Sequence, residues 1–218
     1  MFDNATVLGL FWCAAFLLGS IPPGLVIARL RGVDIRNVGS RNIGTTNVLR
    51  SVGKTEAALT LAFDIAKGLL PVLLVGPLFR WLELPIPVLS IFVDYTSNTL
   101  LVAQGLIGLA AILGHNFSVF LAFKGGKGVA TSIGVVFGLA PYVGLMIVTL
   151  WMFTFSKTRI SSMGALVAFG LLPIIMYFYD TSIEKTAIAG VISLLLYIRH
   201  IPNIKRLIQG TEGKFLKK

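Results

Sequence analysis

The chain has 218 residues, 56% of them hydrophobic and only 13% charged, with 19 basic against 9 acidic residues, a net charge of +10 and a mean hydropathy of +0.87. A water-soluble domain averages about 25% charged residues, so this composition excludes most soluble classes and places the chain in a bilayer, as a single domain over residues 1–218. One cysteine, Cys13, excludes an intramolecular disulfide, and two histidines with one cysteine cannot fill a tetrahedral His/Cys zinc site.

The first uncharged run, 5–28, has no basic residue before it, so it lacks the basic segment of a cleavable signal peptide and reads as a retained first transmembrane helix. A polar loop follows from Gly32 to Arg50. Its second half is dense in small hydroxyls, amides and glycines: Ser40, Asn42, Gly44, Thr45, Thr46 and Asn47. Such a loop is either a polar turn between helices or an oxyanion site of backbone N–H groups and short donors, with Arg50 placed to grip phosphate through two bonds. Residues 45–50 are also expected to start a helix capped by Thr45 or Thr46, whose N-terminus favours an anion. The run 57–79 carries Asp64 and Lys67 three apart on one face, where they neutralise each other as a structural pair. The segment from Arg80 to Asp94, with Pro85 and Pro87, reads as an outer interfacial connection.

The run 95–123 includes Gly114-His115-Asn116-Phe117 and leads into Lys124-Gly125-Gly126-Lys127-Gly128. Two lysines bracketing two glycines before an apolar helix resemble a phosphate-binding loop. The Walker pattern fails, however, because Gly128 follows Lys127 and Leu121 stands where its first glycine belongs. The competing reading is a pair of membrane-border lysines. The run 128–156 has basic residues at both ends and Gly138-Leu139-Ala140-Pro141 near its middle, so a helical hairpin returning to the same side is expected. Arms of about twelve residues reach only ~18 Å, so the hairpin is either re-entrant or extends past its flanking charges. Arg159, Ser161 and Ser162 open the run 160–179, with either serine a candidate cap. The last run, 186–198, ends at Arg199 and His200, with Asn203 after Pro202 read as a turn residue before a basic tail.

Counting the hairpin as two helices gives an all-α polytopic membrane protein with seven transmembrane helices, the N-terminus outside and the C-terminus cytoplasmic. Every basic residue except Arg80 and Lys185 then lies inside, along with Asp34, Glu56, Asp64 and Glu212, while Asp3, Glu83, Asp94, Asp180 and Glu184 lie outside. This is the positive-inside asymmetry, so the net charge calls for no nucleic-acid partner. All four polar clusters fall on the inner side.

Taken together, Gly19 to Pro23, Val38 to Arg50, Gly114 to Phe117, Lys124 to Thr131 and the tail from Arg199-His200 through Asn203 to Glu212 resemble the acyl-phosphate-dependent glycerol-3-phosphate acyltransferase (PlsY) family, in the same order over nearly the whole chain. The resemblance implies a multi-pass enzyme of the bacterial cytoplasmic (inner) membrane, its active site facing the cytoplasm. It would move a fatty acyl group from acyl phosphate to the 1-hydroxyl of sn-glycerol 3-phosphate, giving lysophosphatidic acid and phosphate in phospholipid biosynthesis, with no cofactor and no metal. An enzyme that produces acyl phosphate is a candidate partner. By the same resemblance, phosphate binding falls to Ser40, Asn42, Gly44, Thr46, Asn47, Arg50, Gly125, Gly126 and Lys127, and catalysis to Arg50, Lys127, Ser162, His200 and Asn203. Three positions depart from the family pattern: Arg41 where glycine is usual, Thr45 where alanine is usual, and Ala165 where serine is usual. An arginine at position 41 either alters the loop backbone or adds a cation.

Acyl phosphate is a mixed anhydride with a good leaving group, so the expected path is direct attack by the glycerol hydroxyl. Its proton passes to a phosphate oxygen or to His200, while phosphate departs against Arg50 and Lys127. The His-x-x-x-x-Asp pattern of soluble-donor acyltransferases is missing, since Phe120 and Lys205 stand five residues after His115 and His200. The loops also lack the clustered Asp that Mg²⁺ chemistry needs. The main alternative is an organophosphate transporter, against which stand the one-sided clustering and the lack of a sequence repeat. A lipid-binding protein using its basic face explains the charge but not the Ser, Asn and Gly loops.

Overall fold

The computed structural model describes residues 4–81 and 98–215, and its regular elements are all helical. They are α1 (Asn4–Ser20), α2 (Pro23–Leu30), α3 (Thr45–Ser51), α4 (Lys54–Trp81), α5 (Asn98–Asn116), a 3-10 turn (Val119–Leu121), α6 (Val129–Leu139), α7 (Pro141–Thr158), α8 (Ser161–Asp180) and α9 (Ile183–Ile208). Among the described residues, five segments are long and apolar enough to cross a membrane: Thr6–Leu30, Lys54–Arg80, Leu100–Leu121, Ser161–Asp180 and Ile183–Ile208. Their outer faces are apolar too. Leu10, Leu194 and Phe178 are 58%, 60% and 77% exposed, a surface that requires lipid rather than water.

Prolines bear on three boundaries read from the sequence. The run 5–28 is not one helix, because Pro22 and Pro23 offer no N–H to the preceding turn; α1 stops at Ser20 and α2 restarts with Pro23 in its first turn. Between 128 and 156 the chain does break, at Ala140 before Pro141. Gly144 lies against the ring of Phe137. A continuous helix would set those residues about 10 Å apart along its axis, so α7 folds back on α6. At the third boundary the expectation fails. Pro202 does not end the last helix, which runs on to Ile208, so Asn203 is a buried helical residue rather than a turn residue. At its C-terminal end α4 continues through Arg80 to Trp81, and the remainder of the expected interfacial connection lies outside the described residues.

Glycines allow two helix pairs to touch backbone to backbone. A Cβ on Gly19 of α1 would overlap the Ala111 carbonyl of α5, and one on Gly114 of α5 would overlap the Phe16 carbonyl of α1. The α4–α6 pair repeats the device, with Gly68 against the Thr131 carbonyl and Gly134 against the Ile65 carbonyl. Small residues at such contacts are how membrane helices gain packing where lipid removes the hydrophobic drive. The Asp64–Lys67 pair forms at 2.8 Å with both side chains buried, as its spacing predicts. Lys67 also donates to the Ile21 carbonyl (2.8 Å) at the α1–α2 break, and His115 Nδ1 lies 3.4 Å from the Asp64 carboxylate. The pair thereby ties α4 to that break and to the end of α5.

Gly68→Val should force α4 from α6 and cost about 1–3 kcal/mol as overpacking. Gly190, with nothing within 4 Å of its would-be Cβ, is the control, and Gly190→Ala should be neutral or slightly stabilising. Thermal unfolding in detergent reads both.

Candidate active site

A cavity of about 860 Å³ opens where α3, α4, α6, α7, α8, α9 and the C-terminal segment meet. Its polar lining comes from loops, helix ends and the inner face of α9, including Ser40, Thr46, Arg50, Lys127, Ser162 and His200. Its apolar lining comes from helix interiors. On α6 it follows Val129, Ile133 and Phe137, four apart, so the apolar wall runs along one helix face for roughly 12 Å at 1.5 Å per residue.

The first loop is built around one amide. Asn47, 1% exposed, donates through Nδ2 to the carbonyls of Ile35 (2.9 Å), Val38 (3.1 Å) and Asn42 (2.8 Å), and its Oδ1 accepts the Ser40 N–H (2.9 Å). Gly39 has φ +60 and lies so close to Asn47 Oδ1 that a Cβ there would overlap it. Asn42 Oδ1 accepts the Gly44 N–H (2.8 Å). Asn42, Gly44 and Asn47 line the cavity, but the Gly44 N–H, the Asn47 amide and the Asn42 side-chain oxygen are spent on the loop itself; Ser40, Arg41, Thr46 and Arg50 line it as well. The α3 N-cap is Gly44 with no side-chain cap, not Thr45 or Thr46; Thr46 Oγ1 instead lies 3.1 Å from Ser161 Oγ. Arg41 sits at φ +58, in the left-handed region that glycine adopts at no steric cost.

In the second cluster Lys127 lines the cavity, whereas Gly125 and Gly126 do not. Their carbonyls accept the Arg199 guanidinium, Nη2 to Gly125 (2.9 Å) and Nε to Gly126 (3.0 Å), while the same guanidinium lies over the Phe117 ring at 5.3 Å. The Gly126 N–H is taken by the His115 carbonyl (3.0 Å). A Cβ on Gly125 would overlap that carbonyl, and one on Gly126 would overlap the His115 ring. These glycines let the loop pass between α5 and α9, and so position Lys127. Burial, with the charges of Arg206, Arg199 and Arg50 nearby, pushes the Lys127 ammonium down to about 8, against the opposing pull of Glu212.

The third and fourth clusters join through a residue whose role sequence reasoning missed. Neither Ser161 nor Ser162 caps α8, whose N-cap is Ile160. The C-terminal segment turns back after Gly210 (φ +71) and inserts the Glu212 carboxylate, whose Oε1 accepts Ser162 Oγ (2.6 Å) and Asn203 Nδ2 (2.5 Å) and whose Oε2 accepts Arg206 Nε (2.6 Å). Partial burial alone would raise this carboxyl; the bonds from Ser162, Asn203 and Arg206 outweigh it and hold Glu212 below the usual carboxylate range. Farther along, the Gly213 carbonyl accepts Arg50 Nη2 (3.1 Å) and the Phe215 ring lies 4.8 Å from the Arg50 guanidinium. His200, Asn203 and Arg206, spaced by three, share one face of α9. His200 Nδ1 lies 2.9 Å from the Leu196 carbonyl, which can only accept, so that nitrogen carries the proton and Nε2 keeps a free lone pair. Glu212, Arg199 and Arg206 were visible in the sequence only as members of the tail pattern.

The model of one family, described as glycerol-3-phosphate acyltransferase, matches residues 9–210. A glycerol-3-phosphate acyltransferase of Trichlorobacter lovleyi is 43% identical over 95% of this chain and 97% of its own length, and that of Geobacter sulfurreducens is 39% identical over 92% and 94%. Two crystal structures of PlsY, an integral membrane glycerol 3-phosphate acyltransferase, are similar throughout, each covering 96% of both chains. Its glycerol 3-phosphate form is 35% identical with a TM-score of 0.81, and its lysophosphatidic acid form 34% identical with a TM-score of 0.80.

Arg41→Gly should raise stability by about 0.5–1 kcal/mol, the relief of a left-handed side chain less the extra chain entropy of glycine. A melting temperature unchanged or lowered would mean that the arginine's own contacts outweigh its backbone conformation.

Proposed function

The chain belongs to the glycerol-3-phosphate acyltransferase family, and we propose that it transfers a fatty acyl group from an acyl phosphate to the 1-hydroxyl of sn-glycerol 3-phosphate, releasing lysophosphatidic acid and inorganic phosphate. The observation that carries this reading is one cavity in which Arg50, Lys127 and Arg206 stand at the mouth of an apolar wall along α6 and α7. Two phosphates need several cations and N–H donors, and an acyl chain needs an apolar slot; the cavity offers both.

In this reading the five long spans and the α6–α7 hairpin make seven membrane helices, with the N-terminus outside and the C-terminus cytoplasmic. The strong excess of Lys and Arg on the loops that carry the site supports a cytoplasm-facing active site in the bacterial inner membrane. Residues 1–218 form one acyltransferase domain. An acyl-phosphate-producing enzyme is the natural supplier of the donor.

The glycerol 1-hydroxyl attacks the acyl carbon, the C–O bond to phosphate breaks, and the released phosphate keeps the bonding pair. Arg50 and Lys127 neutralise the charge that grows on that leaving group. His200 Nε2 accepts the hydroxyl proton, with Nδ1–H held by the Leu196 carbonyl so that the ring presents one fixed nitrogen. Ser40, Thr46, Ser162 and Asn203 orient the two substrates, so that much of the rate comes from placement of an already activated donor.

Purified protein in lipid, given palmitoyl phosphate and glycerol 3-phosphate, should release phosphate only when the acceptor is present and form lysophosphatidic acid. Arg50→Ala should lose about 1.5–3 kcal/mol of charge-assisted binding, read as a raised KM or lost turnover. Phosphate release that ignores the acceptor, or glycerol phosphate uptake into proteoliposomes without turnover, would overturn the reading.

His200→Asn should lower kcat by about 10²–10⁴; near-normal turnover would move the proton to a phosphate oxygen. Lys127 is protonated below about 8 and loses its charge as pH rises through that value. Accordingly kcat/KM should decline above about pH 8, and Lys127→Arg should carry the decline to higher pH.

A further inference from the structure

The cavity's polar end is rich in groups that donate or carry positive charge: Arg41, Arg50, Lys127 and Arg206, together with the hydroxyls of Ser40, Thr46 and Ser161. Against these stand two carboxylates, Asp64 and Glu212. Lys67 at 2.8 Å and His115 at 3.4 Å engage Asp64. Glu212, its side chain 9% exposed, is gripped by Ser162, Asn203 and Arg206 and held ionised. A carboxylate offers about four lone-pair positions. Two bonds fall on Oε1 and one on Oε2, so Oε2 retains an acceptor position. The amide Oδ1 of the adjacent Asn203 is buried and has no partner among the described residues. Glu212 Oε2 and Asn203 Oδ1 thus form an acceptor patch among cations.

An acceptor patch of this kind is unsuited to phosphate, which brings only acceptors of its own at neutral pH, and suited to the hydroxyls of a polyol. Glycerol 3-phosphate carries one hydroxyl that reacts and one that does not. A carboxylate held below its usual pKa by three hydrogen bonds is a weak base, which suits it to accept a bond from a hydroxyl that keeps its proton. Resting on the acyltransferase reading above, we infer that Glu212, with Asn203 Oδ1, binds the unreacting 2-hydroxyl of glycerol 3-phosphate and thereby sets which acceptor alcohols are acylated. The Arg206 bond and the Ser162 bond fix the carboxylate so that the 1-hydroxyl is directed toward the acyl carbon and His200. In this role Glu212 is a substrate-binding residue, and a Gln in its place keeps the shape while losing the charge.

The test compares glycerol 3-phosphate with 3-hydroxypropyl phosphate, which has the phosphate and the reacting hydroxyl but no 2-hydroxyl. Wild type should prefer glycerol 3-phosphate by roughly 10- to 100-fold in kcat/KM, the worth of one charge-assisted hydrogen bond. In Glu212→Gln the two acceptors should converge to within about threefold, chiefly by loss of activity on glycerol 3-phosphate. Equal use of the two by wild type overturns the inference whether or not the variant folds. So does a variant that keeps the wild-type ratio while melting lower, because the carboxylate then serves only to fasten the C-terminal segment. No acceptor-dependent turnover of either alcohol by wild type would instead sink the acyltransferase reading itself.

Discussion

Four cations, Arg50, Lys127, Arg199 and Arg206, must be held together at the edge of an apolar medium, and the architecture of the site follows from how each is compensated. Their mutual repulsion is only weakly screened at a partly buried site. Arg199 is satisfied without any carboxylate, by two successive glycine carbonyls and the face of Phe117. Arg206 has Glu212, and Arg50 has the Gly213 carbonyl and the Phe215 ring. Lys127 is left with the least compensation: burial and the neighbouring arginines press its ammonium downward, and the nearby Glu212 carboxylate opposes them only in part. A site that keeps one cation poorly satisfied is ready to take an anion.

That compensation depends on backbone proximity that only glycine permits. Gly125 and Gly126 bring the lysine loop against His115, and Gly19, Gly114, Gly68 and Gly134 bring the helices beneath it into direct contact. Buried groups at the floor, Asp64 with Lys67 and His115, then join α4, the α1–α2 break and α5 into one support. A binding geometry carried on such packed helices is held more closely than one carried on free loops.

Much of this was legible in the sequence, and what was not had physical reasons. Small polar residues, glycines and cations in ordered clusters pointed to phosphate chemistry, and the i, i+3 spacing of Asp64 and Lys67 announced their pair. Residue type does not reveal which way an amide faces, so Asn47 passed for a phosphate ligand when its valences are spent on Ile35, Val38, Asn42 and Ser40. Likewise Pro202 looked like a stop. A proline removes one N–H, and α9 absorbs that loss while its His200 and Asn203 face stays buried in the site. Glu212 lies beyond the helix and acts only through a chain reversal at Gly210, a contact no local pattern encodes.

The left-handed backbone at Arg41 shows how a departure from a family pattern becomes intelligible. Glycine at that point would adopt φ +58 freely, whereas an arginine there costs on the order of 1–2 kcal/mol. The loop nevertheless keeps its course, because Asn47 and Asn42 fix the residues on either side by five hydrogen bonds. A scaffold that over-determines its backbone can tolerate a strained residue at its rim. The arginine therefore leaves the loop's shape intact and places a further positive charge at the cavity lining, where it adds to the field that draws an anion inward.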